Sequence, residues 1–159
     1  GEGRLMRLRQ MTLNDAAAYR LWGEPETPHM TQVALMRKQL ADRDERAFTA
    51  VDGRSIVGHG RIRWFDGYEE IGWFVAPSAR GHGYGTSIAL CLITLCRSEH
   101  VVALVSPMNQ PSWRIAKRLG FQPCGFDGLG HIVWHLDARE MRNARSLFAV
   151  PSDVGAVAR

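Results

Sequence analysis

The sequence predicts an α/β domain built on a mixed, mostly antiparallel seven-stranded sheet with about four helices, and three observations lead there. Two Asp-Gly dipeptides, Asp52-Gly53 and Asp66-Gly67, join three strand-like runs into a meander. A glycine-spaced turn at residues 80–85 converts the third strand into an apolar helix, which returns the chain to a further strand by a crossover. A polar break and another helix then lead to a closing pair of strands around Asp127-Gly128.

In chain order, Arg4 to Met11 alternates well enough for a first strand, and Thr12 or Asn14 can cap a helix carrying Ala16, Ala17, Ala18, Tyr19 and Leu21. Gly23 and Pro25 end that helix, and Glu24 to Pro28 reads as a loop. Met30, Val33, Ala34, Met36, Arg37 and Leu40 follow helical spacing up to the charged run Asp42 to Arg46. Ala47 to Val51 and Ser55 to Phe65 are strands joined by Asp52-Gly53, where both positions tolerate positive φ, and Asp66-Gly67 leads on to Glu69 to Val75. The extended run stops at Pro77, the apolar helix covers Thr86 to Cys96, and the crossover reaches Val101 to Val105. Ser106 to Asn109 is a polar break, Pro111 to Leu119 a helix, and Phe121 to Phe126 pairs with His131 to Leu136. Residues 1–159 read as one domain with a core of about 4–136; the extension 137–159 holds a short helix over Ala138 to Phe148 and a frayed tail of small residues.

Composition excludes several classes. A hydrophobic fraction of 45% and a charged fraction of 23% belong to a soluble globular chain, and the most apolar run, Ile88 to Cys96, is too short to span a bilayer. The chain opens on Gly1-Glu2-Gly3 with no leader-like charged and apolar segment behind it, so a cytoplasmic protein with no membrane contact is expected. Cys91, Cys96 and Cys124 are odd in number and lack Cys-x-x-Cys spacing, which favours buried free thiols over disulfides or zinc. The six histidines make no ligand-spaced set, and His131 and His135 share one strand face. The net charge of +4, carried almost wholly by arginines spread along the chain, suits a phosphate-rich ligand and is too diffuse for a nucleic-acid binder.

Arg80, Gly81, Gly83 and Gly85 fall where strand gives way to helix, so backbone N–H groups point beyond the turn and a phosphate can come close. A dinucleotide fold wants Gly-x-Gly-x-x-Gly and an acid at the end of the next strand, whereas the strand Val101 to Val105 ends in Ser106. No Gly-Lys-Ser/Thr follows, which excludes a nucleotide-hydrolysing P-loop.

Arg80-Gly81-His82-Gly83-Tyr84-Gly85 resembles the Arg/Gln-x-x-Gly-x-Gly/Ala signature of the GNAT superfamily of acyl-CoA N-acyltransferases. Asn109-Gln110-Pro111-Ser112, followed by Ile115, Leu119, Gly120 and Phe121, resembles the Asn-x-x-Ser…Leu-Gly-Phe block of the subgroup that includes ribosomal-protein N-terminal acetyltransferases. The resemblance implies splayed central parallel strands, acetyl-CoA as donor with CoA as product, no metal, and a homodimer as a common assembly. It places the pyrophosphate against Arg80, Gly81, His82, Gly83, Tyr84, Gly85 and Thr86, with Tyr84 facing the phosphates. Phe74 and Val75 would offer backbone groups to the pantetheine arm, and Asn109 would hydrogen-bond it while also capping its helix.

Acyl transfer to an amine needs a neutral amine, oxyanion stabilisation and a proton for the leaving thiolate. The resemblance offers Glu70 as base, acting through water; the alternative is a strand-start carboxylate paired with an arginine. Glu69 faces the other way. Many members carry a tyrosine acid seven residues beyond the Asn, but that position is Ala116, so Ser112 takes the role by likeness to the subgroup; the alternative is an ordinary first-turn serine. Trp22, His29, Trp64 and Glu70 are expected at the acceptor pocket, and Trp73 in the core. An α-amine with pKa near 8 costs only about 1.4 kcal/mol to deprotonate at pH 7, against about 4.6 kcal/mol for lysine. The subgroup resemblance favours such an acceptor, on a peptide N-terminus or an amino-acid-like metabolite. A small-molecule amine such as a polyamine or drug, and a non-catalytic acetyl-CoA sensor, are the alternatives.

Overall fold

The computed structural model describes residues 6–22 and 28–143. Strands β1 (Met6–Gln10), β2 (Glu45–Asp52), β3 (Ser55–Phe65), β4 (Tyr68–Val75), β5 (His100–Val105), β6 (Gln122–Phe126) and β7 (Ile132–Asp137) form one sheet in the order β1-β2-β3-β4-β5-β7-β6. Each neighbouring pair is antiparallel except β4 and β5. Helices α1 (Ala16–Arg20), α2 (His29–Ala41), α3 (Tyr84–Leu95), α4 (Gln110–Arg118) and α5 (Ala138–Asn143) complete the α/β fold, α1 to α4 answering the four helices expected and α5 the start of the short helix expected after them. The rest of the helix expected over 138–148, the tail, Arg4 and most of the loop at 24–28 lie outside the described residues. In the β2–β3 and β3–β4 hairpins the glycines alone, Gly53 and Gly67, take positive φ.

Each sheet face has its own core. On one, α3 lies with Ile88, Leu92 and Ile93 fully buried against Ile62, Ile71 and Val101. Each such side chain contributes about 1.5–3 kcal/mol by leaving water. Contact is close because β3 carries glycines here: a Cβ on Gly60 would lie 3.0 Å from Leu92 Cδ2. On the other face Met11, Ala16, Tyr19, Met36 and Ala47 gather beneath α1 and α2. Asp15, buried at 2% exposure, anchors that layer by accepting from both Arg9 Nη atoms (2.9 and 2.7 Å), Thr12 N (2.9 Å) and Thr49 Oγ1 (2.7 Å).

β4 alternates between the two cores: Ile71, Trp73 and Val75 face α3, whereas Glu70 and Gly72 lie beneath Arg61 on the α1–α2 face. Glu69 is structural, accepting from the amides of Arg97 (2.6 Å) and Ser98 (2.7 Å) at the end of the crossover. The parallel pairing of β4 with β5 holds only for Glu69↔Val101 and Glu70↔Val102. Beyond that, β4 stays with β3 to Val75↔Gly58 and β5 stays with β7 to Val105↔Ile132, so the two strands part in a wedge.

Cys91 and Cys96 are buried as expected, but Cys124 is exposed. It sits on β6, an edge strand exposed along its length, where the pairing with β7 breaks between Pro123 and Phe126. No helix among the described residues is long and apolar enough to cross a membrane.

Candidate active site

The wedge holds a cavity of about 270 Å³, lined on one side by Ile71, Gly72 and Trp73 and on the other by Ala103, Leu104 and Val105. A second, larger cleft of about 810 Å³ runs from it between the residue 80–86 turn and α4. Trp73, Ser106, Asn109 and Ser112 border both spaces and form their junction.

The large cleft suits a phosphorylated, elongated ligand. Gly83, with φ +80°, is the residue before α3, and Ser87 N closes the first turn on Gly83 O at 3.2 Å. The amides of Gly85 and Thr86 precede that ladder and belong to residues lining the cleft, at the positive end of a 12-residue helix. Arg80, Arg114 and Arg118 add three guanidinium groups to the same walls. Donor amides and fixed positive charge at one end of a long cleft fit the diphosphate of CoA, and the narrower wedge fits its acylated end.

Of the expected cofactor residues, Phe74, Val75, Arg80, Gly81, Gly83, Tyr84, Gly85, Thr86, Asn109 and Ser112 all line the cleft. His82 does not; it is exposed, its ring 6.0 Å from that of Tyr84. The Tyr84 hydroxyl is turned away from the phosphate role expected of it and donates to Asp52 Oδ2 at 2.6 Å, tying the turn to the β2–β3 hairpin. Asn109 caps α4, accepting from Ser112 N at 3.3 Å through Oδ1, which leaves its amide NH₂ for a ligand. Ala116 is fully buried in the core, so α4 has no tyrosine acid to offer there.

The acceptor residues are only partly brought together. Trp22 stacks on Tyr19 (centroids 4.6 Å apart) and leans on Phe74 (5.5 Å), which places it on the face that carries Glu70. Glu70 is nearly buried, and its Oε1 accepts from Arg61 Nη2 at 2.8 Å, while Arg61 Nη1 reaches Glu45. The arginine-paired alternative for Glu70 is therefore present in the structure. His29 opens α2 and is exposed, directly after the undescribed residues. Trp64 pairs with Glu69 across the β3–β4 ladder and so lies on the α3 face, away from Glu70, with 52% of its surface exposed. Trp73, read as core from its strand, reaches the junction with its indole Nε1 buried and unpartnered by protein. His59, beside Tyr19, has its pKa pushed down to about 4 by burial and then by Arg61, so it is neutral, and it lines neither space.

Sequence reasoning missed Ser106, Arg114 and Arg118. The two arginines stand four residues apart on one helix, a signal that was available. Arg118→Ala is expected to weaken acetyl-CoA binding about threefold to tenfold, with a shallower salt dependence, while leaving kcat unchanged; calorimetry at two ionic strengths checks it. An unchanged affinity would place the phosphates elsewhere.

No curated protein matches the chain. Among solved structures, an uncharacterized protein from Bacillus halodurans superposes with a TM-score of 0.78 at 14% identity, covering 89% of this chain and 88% of that one. The aminoglycoside acetyltransferase AAC(6')-Ib in complex with coenzyme A gives 0.75 at 18% identity, covering 88% and 99%. Spermidine N-acetyltransferase from Vibrio cholerae in complex with CoA and spermine gives 0.68 at 17% identity, covering 82% and 93%. These likenesses are of fold. The family model for the acetyltransferase (GNAT) domain matches residues 5–122, and on that match, spanning the turn, the wedge and α4, the chain belongs to the GNAT acetyltransferases, which transfer an acetyl group from acetyl-CoA to an amine.

Proposed function

We propose that the protein acetylates a primary α-amino group, on a peptide N-terminus or an amino-acid-like metabolite, that enters the wedge from the α1–α2 face. The observation that carries this reading is the junction: a donor lying along the large cleft brings its acyl end to Trp73, Ser106, Asn109 and Ser112, where the wedge opens to a second ligand. Acetyl-CoA supplies an activated acyl group; the chain supplies position and protons. Ser112, at the start of α4, lies where a hydroxyl can donate to the departing sulfur, and the Asn109 amide can hold the arm.

The charge pattern supports a singly charged acceptor. Glu70 and Glu45 share the single Arg61 guanidinium, which leaves one net negative charge across the wedge, and Asp127 is engaged within its own loop by the His131 ring and two amides. A polycation such as a polyamine prefers unmatched acids. Glu70 keeps enough negative charge beside Gly72 to attract one ammonium, which is the role we assign it. The second reading, a polyamine or aminoglycoside acceptor, is favoured by the substrates named for two of the fold neighbours.

Thiol release from acetyl-CoA, measured against free-N-terminus peptides, amino acids, polyamines and aminoglycosides, separates these readings. Turnover confined to α-amines is expected; turnover confined to polycations would overturn the acceptor assignment, and acetyl-CoA binding with no turnover would favour a sensor. In the same assay Ser112→Ala is expected to lower kcat about 10²-fold with unchanged acetyl-CoA affinity. An unaltered kcat would remove Ser112 from proton transfer.

A further inference from the structure

The wedge cavity has one titratable side chain among its lining residues, His131, supplied by the loop between β6 and β7. The β5–β7 pairing ends at Val105↔Ile132, and the next residues, Ser106 and His131, both line the cavity at the end of β5 where the wedge is open. That loop is folded around Asp127. Its Oδ1 accepts from the amides of Leu129 (2.9 Å) and His131 (2.7 Å), and its Oδ2 lies 2.8 Å from His131 Nδ1. The Asp127 amide returns a bond to the His131 carbonyl at 2.9 Å.

Desolvation opposes the Asp127 charge, but the hydrogen bonds from the His131 ring and from the amides of His131 and Leu129 outweigh it and hold its pKa below the usual carboxylate range. A carboxylate ionised at neutral pH only accepts. The imidazole proton therefore sits on Nδ1, and the lone pair is on Nε2, the ring nitrogen left for the cavity. The ring is 38% exposed, so a ligand in the wedge can reach it.

We propose that His131, oriented by Asp127, is the group that takes the proton from the acceptor ammonium in the wedge, an assignment that rests on the acetyl-transfer reading above. The proton moves from the ammonium to Nε2, and the freed nitrogen lone pair forms the new C–N bond to the acyl carbon. As the C–S bond breaks, the Ser112 hydroxyl gives its proton to the sulfur and is restored by the second proton shed from nitrogen. His131 then releases its proton to water, so one proton leaves per turnover. Asp127 is a positioning residue in this scheme: it acts through the ring.

Glu70, expected from the sequence to be the base, is a less direct candidate. Its Oε1 is engaged by Arg61, and it is absent from the residues lining the wedge, which are all drawn from the described set. The other charged or titratable groups on this sheet face include Arg61 with Glu45 and Glu70 across the wedge, Arg63 with Asp42, Asp15 with Arg9, His59 beside Tyr19, and His135 four residues after His131, its Nε2 3.0 Å from His100 Nδ1 beside Asp137. None of them lines the cavity.

The test combines a tautomer measurement on the free protein with pH profiles of kcat. Histidine ¹⁵N shifts are expected to show the wild-type His131 ring protonated on Nδ1. In Asp127→Asn the amide oxygen still receives both backbone N–H groups, but its NH₂ faces the ring and moves the proton to Nε2, leaving no lone pair for the ammonium. Both Asp127→Asn and His131→Gln are expected to lower kcat about 10²-fold or more, with the acid limb of the profile lost in His131→Gln and the KM for acetyl-CoA unchanged. Folding of each variant is read from its thermal transition. A His131→Gln enzyme that is folded and keeps the wild-type acid limb, or a wild-type ring protonated on Nε2, would overturn the proposal. A wild-type protein that turns over no amine would instead overturn the transfer reading, and this assignment with it.

Discussion

Gly83→Val is expected to abolish measurable acetyl-CoA binding, raising Kd at least about 10²-fold, and to cost about 1–3 kcal/mol of stability. Gly83 stands before α3 with φ +80° and ψ 6°, a left-handed conformation in which a β-branched residue is strained. Its side chain would also enter the space through which a phosphate approaches the amides of Gly85 and Thr86. The two effects separate with Gly83→Asn, because Asn tolerates the left-handed region yet still fills the approach. The Asn variant is expected to regain most of the stability and little of the affinity, read by thermal unfolding and by calorimetric titration with acetyl-CoA. Wild-type affinity in either variant would remove the turn from the donor site.

Gly58→Val is expected to be the most damaging single change to the fold among the glycines. A Cβ there would lie 2.3 Å from the Phe74 carbonyl oxygen and 2.9 Å from Ile88 Cδ1. The first of these is backbone, so relief requires β3 and β4 to shift against each other; the second presses on α3. The expected loss is about 3 kcal/mol, lowering Tm by roughly 6–12 °C. Because Phe74 and Val75 wall the cleft, acetyl-CoA affinity should fall with it. Gly72 is the control: the three atoms nearest its Cβ would all belong to the Arg61 side chain, the first Nε at 3.1 Å, and a flexible side chain can yield. Gly72→Ala is therefore expected to cost less than about 1 kcal/mol, and a comparable loss in both variants would contradict this account of the β3–β4 contact.

The strands and helices were legible because their signals are local. Alternation marked β3 and β4, and the two Asp-Gly turns set the meander. The 80–86 turn was legible for the same reason: glycine spacing, a proline stop and an uncharged helix fall in one short stretch. What the sequence left unread depends on which face a residue meets. Trp64 reads as an acceptor-pocket residue with Glu70, but the β3–β4 register sets it beside Glu69 on the opposite face. Cys124 reads as a buried thiol from composition, but nothing local marks β6 as the exposed edge strand that carries it. His131 and His135 were paired by alternation, whereas each finds a different partner: Asp127 within its own loop, and His100 on the adjacent strand. Arg61, which joins Glu70 to Glu45, is likewise a product of sheet register, since Glu45 lies 16 positions earlier in the chain.

A crystal structure of the protein with CoA would test the central claim most directly. The diphosphate is expected against the amides of Gly81 to Thr86 near Arg80 and Arg118, the arm beside Val75 and Asn109, and the sulfur at the junction of Trp73, Ser106, Asn109 and Ser112. A CoA bound outside the wedge, with its sulfur away from Ser112 and His131, would contradict it.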